Sequence, residues 1–326
     1  ARIYGYNEIP THSIISQLAA PNDHNQLSVQ QITNLLVDRG YREVISYSFI
    51  DPQLQQLFNF EHAGIDLLNP ISPEHAQMRM SLWPGLLMAV VNNQNRQHQD
   101  MRLFEEGLCF YKEGGEIRQQ AMIAGIVVGR ASVDQWGQAD RDFDYYDLKA
   151  DIEAIAQLTH APEALQYNAE AHPALHPGQT AVIKQNGLDL GWIGGIHPRL
   201  TQQLDINGPV YAFELKVEAL QKIKLNKFKP LSKFPAIRRD ISFIIDKNVT
   251  AQQIENIIIQ SANECLQKLF FFDVYYGEGI TKGKKSVAIG LIFQHYSRTL
   301  TDTEIINYMN DIISDLNEAY AISLRN

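Results

Sequence analysis

Cysteine is scarce in this chain: 326 residues contain two, Cys109 and Cys265, far apart in a strand-like and a helix-like context. That argues against a disulfide framework or a cysteine metal cluster and for buried thiols in a reducing cytosol. No run of about 18 apolar residues occurs, so no membrane span is expected. The opening ARIYGYNEIP has neither a basic n-region nor an apolar h-region. The chain begins at Ala1 without Met, and reads as the C-terminal piece of a longer protein. HExxH is absent, and no Ser/His/Asp or Cys/His constellation is readable. Gly277-Glu-Gly279 followed by Gly283-Lys-Lys meets neither GxxxxGK[ST] nor GxGxxG, so a nucleotide cradle is not expected there. His172, His176 and His197 are each followed by proline, which denies them a zinc-binding helix and suits turns. There is no internal repeat and no low-complexity tract.

What is present is a 45% hydrophobic chain long enough for two or three domains. Its net charge of -9 is unevenly spread. Residues 232–326 carry 10 basic against 11 acidic side chains, which leaves 18 against 26 for the rest. Between Lys222 and Arg239, the residues Lys222, Lys224, Lys227, Lys229, Lys233, Arg238 and Arg239 occur without one acid. A local basic stripe matters more than global charge for holding phosphate, because screening erases charge beyond ~8 Å. A solvated linker is the plainer reading of the same run.

The body reads as antiparallel strands with helices between them. Ser28 caps a helix over 29–38 that Gly40 stops, and a strand over 43–50 follows. A helix over 86–96 starts behind Pro84; strands at 101–111 and 122–128 flank Gly114-Gly115; a helix spans 146–158. A hairpin over 180–196 turns at Asn186-Gly187, and a short helix at 198–204 and a strand at 210–217 complete the set. The class is α+β. Within it, Arg102, Glu105 and Glu106 on one strand, with Arg79 and Arg96 bracketing the helix before it, could clamp ATP phosphates and an amine, or could form an ion pair on a half-buried sheet.

The last hundred residues follow the order β-α-β-β-α-β, the split βαβ or ferredoxin-like arrangement. Alternation places Ile241, Phe243 and Ile245 on one side, as it does Val287, Ile289, Leu291 and Phe293 in a later strand. In the strand between them it groups Phe270, Phe272 and Val274 as an apolar row and Phe271, Asp273 and Tyr275 opposite. Helices are expected over 250–262 and 302–318, and a short strand over 319–324. Ser286, Ala288, Gly290 and Gln294 leave a low face beside Tyr275 that could admit a flat ligand. Lys282, Lys284 and Lys285 on one loop, Arg238 and Arg239 at a strand start, and Arg298 after the third strand offer phosphate contacts. Tyr275 offers a ring to an unpaired base, whereas Tyr276, sharing a side with Phe272, is expected to fill space beside the helices.

FPAIRRDISFII, FDVYYGEGITKGKKSVAIGLIFQ and SRTLTDTEI resemble the ferredoxin-fold anticodon-binding domain that ends the β subunit of bacterial phenylalanine--tRNA ligases. ARIYGYNEIP, GYREVISYSFIDP, LLNPIS, MRMSLWPGLL, NQNR, RLFEEG, HPGQTA, GGIHP and YAFEL continue the likeness in order over the whole chain. The resemblance implies a tail of the preceding B5 domain at 1–13, a non-catalytic class II synthetase-like module at 14–231 and the anticodon-binding domain at 232–325. It implies a role inside a heterotetramer of two α and two β subunits that joins phenylalanine to tRNA(Phe) through an adenylate. This chain would supply the α-subunit interface and tRNA grip in the cytoplasm. ATP and Mg2+ belong to the full complex, with neither expected on this fragment, and the family's magnesium-binding acids would precede Ala1. Arg102 and Glu105 are similar to the second class II signature, but no Arg-ending third signature follows. Tyr275 falls at the family position that stacks on an anticodon base; the neighbouring cations are assigned from charge alone. Two alternatives stand beside this: a self-sufficient class II synthetase-like enzyme, and a regulatory module sensing an amino acid.

Overall fold

The computed structural model describes residues 2–10, 27–58, 60, 64–159, 165–221, 231–262 and 265–325. It divides into two units, Ala1–Asn226 and Lys227–Asn326. In the first, α1 (Val29–Asp38) opens on a capping box in which Ser28 and Gln31 satisfy each other's backbone N–H groups, and Gly40 leaves it at a φ of 87°. The strand expected over 43–50 is instead two short ones, β1 (Arg42–Glu43) and β2 (Phe49–Ile50), in different sheets. Between them the Ser46 N–H donates to the Glu105 carboxylate rather than to a strand. Then come α2 (Pro52–Leu57), β3 (Ile65–Asp66), β4 (Gln77–Met78), α3 (Trp83–Gln94), β5 (Met101–Glu113), β6 (Glu116–Val128) and α4 (Tyr145–Leu158). After these follow β7 (Leu165–Asn168), β8 (Leu175–Gln185), β9 (Leu188–Ile196), α5 (Pro198–Gln203), β10 (Val210–Lys216) and α6 (Val217–Leu220).

The large sheet runs β1-β5-β6-β10-β9-β8-β7, antiparallel except for β1 beside β5, while β2, β4 and β3 form a small sheet. At the β8–β9 turn Asn186 and Gly187 both adopt positive φ, which two-residue hairpins demand and that dipeptide tolerates. Both faces of the large sheet are covered. Phe104, Ile123, Ile193 and Phe213 pack under α1 and α4, whereas Leu103, Ala124, Ile126 and Ala212 pack under α3 and α5.

The second unit contains β11 (Ile237–Asp246), α7 (Ala251–Ser261), β12 (Leu266–Tyr275), β13 (Lys284–Phe293), α8 (Asp302–Tyr320) and β14 (Ser323–Leu324). Its antiparallel sheet is ordered β12-β13-β11-β14, which is the ferredoxin-like split βαβ arrangement. Helix α8 outlasts its expected end and stops only where Ala321 turns left-handed at φ 47°, so the last strand shrinks to two residues. Capping boxes at Thr250 and Thr301 start both helices. Phe243, Ile245, Ile289, Leu291 and Phe293 are wholly buried against Ile258, Ile305, Ile312 and Leu316, each contributing ~1.5–3 kcal/mol of burial. Both helices thus sit on one side of the sheet, and among the described residues of this unit no helix covers the other side.

Candidate nucleic-acid interface

The helix-free face is set by an irregularity in the edge strand. β12 pairs with β13 in step from Leu269 opposite Leu291 to Phe271 opposite Ile289; then Asp273, not Phe272, stands opposite Ala288. Phe272 is the extra residue of a β-bulge. Leu269 and Phe271 pack on the core, whereas Phe270 and Phe272 lie outside with ring centroids 6.3 Å apart. This reverses the expectation that Phe270 and Phe272 face the helices. Tyr275 has the parity of Phe271, so an unbroken strand would carry it inward; the bulge returns it to the open face, opposite Ser286 and 38% exposed. Tyr276, expected beside the helices, lies beyond the strand end and is 56% exposed.

The cations singled out above do not form one ring. Lys284 is in phase with Ser286 and shares Tyr275's face, and exposed Lys282 lies in the loop before it. Lys285 stands opposite Ile245 and donates from Nζ to the Val249 carbonyl at 2.6 Å, so it turns to the helix side. Burial draws its pKa down, against the pull of Asp246. Arg238 and Arg239 are at the far end, opposite Ile292 and Leu291, about 20 Å along the strands from Ser286. Arg239 reaches Asp302 at 3.5 Å. Arg298 binds Glu304 with two bonds of 2.8 and 2.5 Å, which hold the Glu304 carboxyl down at about 2 together with bonds from Thr301. Arg239 and Arg298 therefore brace the start of α8. Lys222, Lys224, Lys227 and Lys229 lie outside the described residues.

Sequence reasoning missed Arg325, whose guanidinium sits 5.6 Å from the Tyr275 ring centre in a cation–π contact. It comes from the opposite edge of the sheet, and only the strand order brings it near. Arg238 lies 5.0 Å from the Phe270 ring centre and 5.8 Å from that of Phe272, with Asp240 bonded to its Nε and Nη2 at 2.8 and 3.1 Å. The low spot expected at Gly290 is filled by the protein itself: a Cβ there would stand 2.3 Å from Cζ of Phe270. Ser286 and Ala288 are covered as well, at 4% and 8% exposure, so no open low face is left beside Tyr275.

In the first unit the proposed clamp does not assemble. Glu105 points to the α3 side of the large sheet, where Arg79 meets it at 2.6 Å and both side chains are almost wholly buried. Arg102 points to the α1 and α4 side, 4.5 Å from the Phe143 ring centre and 3.4 Å from Asp151. Arg96 bonds to the Asn92 carbonyl at the exposed end of α3. Nδ1 of His172, His176 and His197 accepts the N–H two residues on, but only His172 leads into a turn as expected: His176 lies in β8 and His197 caps α5.

Near Arg79, Glu214 accepts from the Leu82 N–H at 2.7 Å and the Ser81 hydroxyl at 3.0 Å. Burial pushes its carboxyl up to about 7, although those bonds and Arg79 pull the other way. The folded state therefore holds this proton more tightly than the unfolded state. The resulting stability is full below about pH 4.3, the unfolded value, and is lost as pH rises to about 7. Denaturation of the first unit across pH 4–8 is expected to show that decline, and Glu214→Gln to flatten it.

A model described as "Phenylalanyl tRNA synthetase beta chain CLM domain" matches residues 6–217, and one described as "Ferredoxin-fold anticodon binding domain" matches residues 232–325. The chain belongs to the phenylalanyl-tRNA synthetase beta chain family. Proteins named "Phenylalanine--tRNA ligase beta subunit" from Pseudomonas fluorescens and Hahella chejuensis are 42% and 39% identical to it over 326 residues, all of this chain and 41% of theirs. The one from Aliivibrio fischeri is 40% identical over 329 residues, 99% of this chain and 41% of its own. The chain thus spans about two fifths of the length of these family members. A pyrrolysyl tRNA synthetase from Desulfitobacterium hafniense aligns with 59% of this chain and 63% of its own at 15% identity and a TM-score of 0.43. ATP does not fit the clamp residues of this family member, since Arg102 and Glu105 face opposite ways and Arg79 is spent on Glu105. Among the described residues no three His, Cys, Asp or Glu side chains are grouped to hold Mg2+.

Proposed function

We propose that this chain is the scaffold and RNA-gripping part of a phenylalanine--tRNA ligase β subunit. Its second unit presents the helix-free face to the anticodon loop of tRNA(Phe), and its first unit binds the catalytic α subunit in an assembly of two α and two β subunits in the cytoplasm. Joining phenylalanine to tRNA, with ATP and Mg2+, is the work of that larger assembly. The observation that carries the reading is Tyr275, an exposed phenol ring beside Lys284 and Arg325 on a bare sheet face, within a segment that matches an anticodon-binding family. Aromatic rings stack on unpaired bases, and cations beside them take the phosphates. For the partner interface, the support is a groove of about 710 Å³ lined by Ile50, Leu54, Leu57 and Met88, with Ile45 and Tyr47 exposed at its edge.

Binding of an anticodon stem-loop of tRNA(Phe) to the full chain tests the RNA half. Tyr275→Ala is expected to raise Kd roughly 5- to 100-fold, as the loss of one stacked base predicts. Log K is expected to fall with log salt at a slope of about -2, from three phosphate contacts at ~0.7 each. Equal binding of a scrambled loop would sink anticodon reading. Co-purification with the α subunit, with charging activity only in the mixture, tests the other half; exchange of pyrophosphate by this chain alone would instead favour a self-sufficient enzyme.

A further inference from the structure

We propose that Phe272 is a second base-stacking station on the helix-free face, distinct from Tyr275, and that its ligand is another unpaired base of the same RNA loop. The inference rests on the reading of that face as an RNA surface. The bulge sets Phe272 and Asp273 together opposite Ala288, outside the core, and leaves Phe272 50% exposed. A phenylalanine kept half in water forgoes much of the burial it could have had, and nothing in the packing of this unit needs it there. Beneath it lies a floor: Phe270 fills the vacancy over Gly290, and its ring centre is 6.3 Å from that of Phe272.

Charge completes the station. Arg238 lies against both rings, and Asp240 fixes its orientation through Nε and Nη2. Lys268 places its Nζ 5.8 Å from the Phe270 ring centre. A fixed guanidinium beside an exposed ring offers stacking and phosphate contact at one place. Asp273 lies on the same face between the two stations and keeps them from merging into one cationic patch. Phe272 and Tyr275 are three residues apart across the bulge, about 7–10 Å, which exceeds the ~3.4 Å rise of stacked neighbours. The two rings therefore take bases splayed from each other, as single-stranded loops present them.

The experiment uses the full chain and anticodon stem-loops of tRNA(Phe) carrying one abasic position at a time. Phe272→Leu, which keeps an apolar side chain in the bulge but removes the ring, is expected to weaken binding roughly 5- to 100-fold, and Phe272→Trp to hold wild-type affinity. One loop position should lose its abasic penalty in Phe272→Leu and keep it in Tyr275→Ala, and a different position should do the reverse. If Phe272→Leu binds within twofold of wild type while Tyr275→Ala is weak, the second station is wrong and the RNA reading stands. If both variants bind as wild type does, the RNA reading falls and takes this inference with it. If both couple to the same base, there is one station and not two.

Discussion

Arg79→Ala is expected to cost the first unit about 3–5 kcal/mol, because it leaves the Glu105 carboxylate buried without its counter-charge. Arg79 and Glu105 are 5% and 3% exposed, and neither has water to fall back on. The guanidinium also donates to the Leu108 carbonyl at 2.9 Å and to the Ser46 hydroxyl at 3.1 Å, so its loss leaves further acceptors unpaired. Gly107 makes room for it: a Cβ there would lie 2.1 Å from Nη2. All three tryptophans, Trp83, Trp136 and Trp192, lie in the first unit, so tryptophan fluorescence in urea reports this unit alone. The midpoint should fall steeply in Arg79→Ala. Arg79→Met combined with Glu105→Leu should recover much of it, since apolar replacement of a whole buried pair is often neutral or better. A double variant no better than the single would mean that the bonds to Ser46 and Leu108, and not the uncompensated charge, carry the cost.

Those same residues show where sequence reading reaches its limit. Arg79, Arg96, Arg102, Glu105 and Glu106 were legible as a group, with an ion pair on a half-buried sheet as one reading; which arginine meets Glu105 was not legible, and the pair that formed is buried. Arg102, three positions from Glu105, looked equally apt for a clamp, but an odd separation on a strand sends the two side chains to opposite faces. Local signals were strong: Ser28, Thr250 and Thr301 cap their helices as their side-chain chemistry dictates, and Asn186-Gly187 makes its turn. The second unit's fold followed from the order of its periodic segments. What could not be read was anything decided across strands. Arg325 meets Tyr275 only because β14 closes the far edge of the sheet, Lys285 finds the Val249 carbonyl only because β13 lies beside β11 and the turn that follows it, and no local pattern marks the slip at Phe272.

Two single-residue deletions in β12 should part sharply because of that slip. Removing Phe272 closes the bulge and leaves the pairing of its neighbours as it is, with Phe271 on Ile289, Asp273 on Ala288, Val274 on Val287 and Tyr275 on Ser286. The strand becomes regular, Tyr275 keeps its face, and the chain should fold and bind RNA as Phe272→Leu does, with the Tyr275 contribution retained. Removing Val274 leaves no such solution. With the bulge kept, Tyr275 falls opposite Val287 and turns toward the helices; with the bulge absorbed, Tyr275 stays opposite Ser286 but Asp273 takes the place of Val274, a helix-side position at the sheet edge that is 46% exposed. The first outcome takes the ring off the open face, so RNA binding should drop to the level of Tyr275→Ala; the second keeps the ring outward and instead costs the second unit stability by turning a carboxylate to the helix side. Far-ultraviolet circular dichroism and stem-loop titration of both deletions measure this. Equal stability of the two, with the abasic penalty that belongs to Tyr275 intact in both, would show that the bulge does not govern which face Tyr275 occupies.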